Sequence, residues 1–213
     1  MVISKDKYLA LPSAQVLPFV DGIFAVAFTL MAYSIPEELN GGQTGIINLV
    51  SAIGGFLLGG IAVVLYWFKM RRLVQLASEL HLPQIFIGFF SLLTIVALPK
   101  MSTLALRYGQ GAGSVSYWTT SQTVNSLYLG ILISFDLLVL LFALSLLRHQ
   151  PCRWRESKLM ETLIRSQGYG LLVLLLLGGL ELLATWFNAQ YIVLVPIVLI
   201  AEEVLVAHKF ARG

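Results

Sequence analysis

The chain has 213 residues, 58% of them hydrophobic and only 12% charged. A soluble domain carries about a quarter charged residues, so the composition excludes a soluble globular protein and defines an integral membrane protein. The net charge of +3 does not signify nucleic-acid binding, because the basic residues are scattered between hydrophobic runs and form no basic face; positive-inside topology accounts for them.

Six spans are expected along residues 1–213, which form a single all-α transmembrane domain: about 14–36, 45–70, 84–106, 119–147, 159–187 and 190–210. Each has at least about 20 residues, enough to cross a hydrocarbon core of about 30 Å. The first holds one carboxylate, Asp21, in an otherwise apolar run, and a charge at that depth is retained for a reason. Gly22, Val26, Thr29 and Tyr33 recur at steps of four, three and four, which sets them on one helical stripe. Asp21 lies about 100° from that stripe. Such a stripe is ordinarily packing surface, and it is also what a lined pathway would present.

Pro36 and the polar residues after it are expected to end the first span. Gly54, Gly55, Gly59 and Gly60 place small residues on the second for close helix packing. Pro83 suits the first turn of the third, and Pro18 and Pro196 most simply kink their helices. Asp136 falls near the middle of the fourth span and Glu181 in the outer part of the fifth; both need partners or a cavity, and Lys100 is a candidate for Glu181. Glu202 and Glu203 read as interfacial. Of the 14 Lys and Arg residues, all but Lys100 and Arg107 fall on the N-terminal side of the six-span arrangement, which places both termini in the cytosol. Trp118, Trp186 and Tyr191 then mark the outer interface, Trp67 and Trp154 the inner one.

Other chemistry is poorly represented. Cys152 is the only cysteine, so no intrachain disulfide or thiol metal site is expected. His81, His149 and His208 share no ligand spacing, so no metal site is expected. No phosphate loop or nucleophile–base pair stands out, and the chain does not read as an enzyme.

The first span resembles the signature helix of the transmembrane protein 175 family of potassium channels, in its bacterial single-repeat form. That signature is an Arg, three residues, Phe-Ser-Asp, Gly, small and branched apolar residues, then Thr-Leu. Here it reads Gln15, Phe19-Val20-Asp21, Gly22-Ile23-Phe24-Ala25-Val26-Ala27-Phe28 and Thr29-Leu30. Tyr66-Trp67 followed by Arg72-Leu73 is similar to the second family helix, and Leu98-Pro99 echoes a position in the third. The departures are Gln15 for Arg, Val20 for Ser, and Lys69-Met70-Arg71 where the family carries a His.

The resemblance implies a homotetramer in which the first helices line a central pore for potassium, in a bacterial plasma membrane and without a cofactor. It implies that Val26, Leu30 and Tyr33 form a hydrophobic constriction, that Thr29 is a polar rung between them, and that Gly22 belongs to the same lining. It also implies a structural network around the signature residues Gln15, Phe19 and Asp21. Since the Arg is missing, its positive charge is expected from the second helix: Lys69 or Arg72, near the inner end of that antiparallel span, is the expected partner of Asp21. Two rivals remain open on sequence alone. A proton-coupled transporter would use Asp21, Asp136 and Glu181 as a relay; a non-conducting structural or regulatory subunit would explain the altered signature.

Overall fold

The structure, a computed structural model, describes residues 10–39, 45–108, 120–149, 158–184, 197–201 and 204. Its elements are strand β1 (Ala10–Pro12), helices α1 (Ser13–Leu39) and α2 (Gly45–Leu76), strand β2 (Glu79–His81), and helices α3 (Leu82–Tyr108), α4 (Thr120–His149) and α5 (Lys158–Ala184). A further helical stretch covers 197–201. Trp118, Cys152, Trp154, Trp186, Tyr191, Pro196, Glu202, Glu203 and His208 lie outside the described residues, as do the side chains of Arg107, His149 and Glu181.

Among the described residues four segments are long and apolar enough to cross a membrane: Ser13–Tyr33, Leu82–Ser102, Thr123–Arg148 and Glu161–Gly179. Helix α2 has 32 residues, ample length for a crossing, and carries Lys69, Arg71 and Arg72 toward its C-terminal end. Pro36 does not stop α1, which continues to Leu39. A proline removes only its own N–H bond and crowds one carbonyl, which the final turn of a helix tolerates better than its middle.

The helices are apolar nearly all round, so each offers both a packing face and a lipid face. On α1 the packing face is Val20, Phe24, Ala27 and Met31, at steps of four, three and four. On α4 it includes Leu132, Phe135, Val139, Phe142 and Leu146. Helix α3 is the hub and packs against α1, α2 and α4, while α1 also packs along α2 and α5 packs on α4. Large apolar side chains such as Phe86, Phe90, Leu175 and Leu176 remain exposed, as expected of surfaces solvated by acyl chains. Gly59 realises the close packing expected of the glycines. A Cβ there would stand 2.5 Å from Ser102 Oγ and 3.0 Å from Met31 Cε, so the bare backbone admits α1 and α3 side chains.

One feature departs from a purely helical fold. β1 and β2 pair antiparallel, with Leu11 opposite Leu80, and Ser13 N–H donates to Ser78 O at 3.3 Å. Chain entering α1 is thereby fastened to the α2–α3 connection. Neither three-residue strand has a period that a sequence could display; each exists because the other satisfies its backbone groups. Helix α3 then starts on a capping interaction, His81 N–H donating to Gln84 Oε1 at 2.8 Å. Gln84 Nε2 donates onward to Ser145 O on α4 at 3.2 Å.

Candidate functional site

The residues of the α1 stripe lie on a side of that helix that stays exposed among the described residues. Val26 is 53% exposed and Tyr33 75%, and Leu30, Thr29 and Gly22 are exposed with them. Nothing lies within 4 Å of where a Gly22 Cβ would be. The Thr29 hydroxyl donates to Ala25 O at 3.0 Å, so its proton is engaged within the helix while the oxygen keeps lone pairs for an outside partner. Phe19 and Gln15, about one and two turns before Gly22, are also exposed.

Asp21 is half-buried against α2, and its partners correct the sequence expectation. Trp67 Nε1–H donates to Asp21 Oδ1 at 2.7 Å. Arg71 donates to both carboxylate oxygens, at 3.4 and 3.2 Å, and its guanidinium stacks over the Trp67 ring with 5.0 Å to the centroid. The brace is therefore Trp67–Arg71, and neither Lys69 nor Arg72 supplies it. Residues 67 and 71 are four apart, about 40° around the helix, whereas position 69 is about 200° from position 67. Lys69 thus points away from α1, and Arg72 lies with its guanidinium 6.0 Å from the Phe68 ring. An i, i+4 relation to Trp67 was the available signal for Arg71.

Lys69 instead meets Asp136 on α4, with Nζ 3.4 Å from Oδ1 and the side chains 2% and 0% exposed. The Tyr66 ring sits under the ammonium, 5.2 Å to its centroid, and packs on Phe135 at 4.3 Å. Asp136 thus has the partner that its depth demanded. Asp21 and Asp136 are each tied to a different cation of α2.

Nearby, an apolar pocket of about 320 Å³ lies between α1, α2, α3 and α4, with Phe19, Met70, Phe89 and Phe142 among its walls. Among the described residues no three metal-ligating side chains converge.

Asp21 and Arg71 are both about one-third exposed, so the ion pair is worth about 1 kcal/mol, discounted for partial solvation. Asp21→Ala is expected to lower thermal stability in detergent by that amount, plus the lost bond to Trp67. Asp21→Asn should lose less, because it can still accept from the indole. Unchanged stability in both variants would remove the brace from the account.

A bundle of apolar helices, four of them long and apolar enough to cross a membrane, with an exposed face on its first helix and a charged brace behind it, defines a membrane-embedded helical protein. The comparisons with known proteins narrow that class. Residues 15–99 match the family model described as endosomal/lysosomal potassium channel TMEM175. The fold is similar to the crystal structure of a lysosomal potassium-selective channel TMEM175 homolog from Chamaesiphon minutus, with a TM-score of 0.68 at 17% identity. That likeness covers 91% of this chain and 97% of the other, and at such identity it concerns the fold. No curated protein matches. The TMEM175 likeness read from the first two helices is thus shown by sequence over residues 15–99 and by fold over most of the chain.

Proposed function

We propose that this protein is a passive, potassium-preferring cation channel formed by four copies around their α1 helices. In this reading it has six spans, both termini are cytosolic, and the membrane is a bacterial plasma membrane. The observation that carries the reading is the uncovered α1 face with Val26, Thr29, Leu30 and Tyr33, on the helix that lies within the matched family region. One chain contributes one such stripe, so closed cyclic symmetry is needed to make a ring. The family name and the structural neighbour, both described as potassium channels, supply the permeant ion, and no cofactor is required.

The mechanism follows from the side chains. Rings of Val26 and Leu30, about 6 Å apart along the axis, make a neck too apolar to hold water when narrow. A slight widening lets a hydrated cation column re-form. The Thr29 oxygens, with lone pairs facing out, offer a polar step between those rings. Tyr33 sets a phenol at the mouth. The Asp21–Arg71–Trp67 brace stands behind the helix and fixes the direction in which the stripe faces.

Cation flux into liposomes tests the reading, with potassium and sodium gradients compared for wild type and Val26→Asn. Potassium flux should exceed sodium flux, and the polar substitution should raise the rate by easing wetting of the neck. Well-folded oligomers that pass no cation would sink the channel proposal.

A further inference from the structure

The Lys69–Asp136 pair is buried inside the bundle and links α2 to α4, apart from the exposed α1 stripe. Helix α3 packs against both α2 and α4, but the backbones of α2 and α4 barely approach each other among the described residues. Side chains join them instead. Tyr66 meets Phe135, Lys69 meets Asp136, and Met70 and Phe142 converge where Gly88 of α3 leaves room for both. Two residues beyond Lys69, Arg71 leaves the opposite face of α2 to hold Asp21 of α1. One half-turn of α2 therefore connects α4 to α1.

We propose that Lys69 and Asp136 are positioning residues of the pore: they set the register of α2 on α4, and through Arg71 and Trp67 the orientation of the α1 stripe. This rests on the channel reading. A buried ion pair is weak as a stabiliser, since well-packed apolar residues often serve as well. What it supplies is a register, because a shift by one residue moves Lys69 about 1.5 Å along and 100° around the axis, and the contact with Asp136 is lost. Apolar side chains at 69 and 136 would accept several such registers. The α1 stripe would then be held less tightly, with the lining residues themselves unchanged.

Single-channel recording in planar bilayers tests this, comparing wild type with Lys69→Met/Asp136→Leu and with Asp136→Glu. Asp136→Glu keeps both charges and moves the contact by one methylene, so it serves if the apolar pair fails to fold. Unitary conductance should stay as in wild type, while open probability changes about tenfold in the apolar pair, a usual size for coupling between sites, and by less in Asp136→Glu. Wild-type open probability in a folded apolar pair would reduce the two residues to packing and overturn the proposal. So would wild-type behaviour of Asp136→Glu, should that be the only variant that folds. A second readout is independent of conduction: the rate at which a thiol reagent labels Tyr33→Cys in a Cys152→Ser background, with and without the pair. If the wild type passes no current, a labelling rate that changes about tenfold upholds the tether although the channel reading falls. An unchanged rate overturns it.

Discussion

Asp136→Ala is expected to lower the unfolding free energy by about 3–5 kcal/mol, the usual loss when one member of a buried ion pair is removed. Lys69 and Asp136 are 2% and 0% exposed, so the substitution takes the Asp136 carboxylate away from a buried ammonium, and the Tyr66 ring 5.2 Å from that ammonium supplies no anion in its place. Lys69→Met/Asp136→Leu should lie close to wild type, because it removes both charges together. Arg165→Ala is the surface control. Its pair with Glu161 is exposed on both sides, and its loss should stay below about 0.5 kcal/mol. Unfolding in detergent, followed by heat or by a denaturing surfactant, reads all three. A loss under about 1 kcal/mol for Asp136→Ala would mean that the pair is not held as the geometry indicates.

Phe24→Ala is expected to lower stability by about 3 kcal/mol, the lower end for removal of a buried aromatic ring. Phe24 is 2% exposed on the inward face of α1. In a bilayer the transfer term largely disappears, since lipid tails are as apolar as the protein interior, and the lost packing remains. Val26→Ala, two residues along on the opposite face and 53% exposed, should change the stability of one subunit by no more than about 0.5 kcal/mol. Under the channel proposal its effect is expected in assembly and ion flux. A large stability loss from Val26→Ala with no change in flux would show that the uncovered stripe packs within the fold and lines nothing. The two substitutions together separate the buried face of α1 from the face proposed to line the pore.

If the stripe is the lining, the braces behind it explain how a chain with Gln15 in place of the family's Arg keeps its pore helix oriented. Arg71 restores a positive charge beside Asp21 from the neighbouring helix, and Trp67 completes the carboxylate's hydrogen bonding. Val20, where the family carries Ser, is fully buried, so that position serves packing here.

Much of this was already legible in the chain. The composition excludes a soluble fold, and the apolar runs locate long helices because a bilayer demands about 20 residues per crossing. Asp21 announces a paired charge, because an unpaired one at that depth is costly. The steps of four, three and four place Gly22, Val26, Thr29 and Tyr33 on one stripe, because helical geometry is local. Tertiary structure alone decided who meets whom. Helices that are apolar all round have no amphipathic direction to reveal how they are turned, so Arg71 rather than Lys69 as the partner of Asp21, and Lys69 as the partner of Asp136, depended on the rotation of α2. That rotation is set by contacts far apart in the chain, Trp67 to Asp21 and Tyr66 to Phe135 among them, and the β1–β2 pairing is likewise a contact between segments that carry no signal alone.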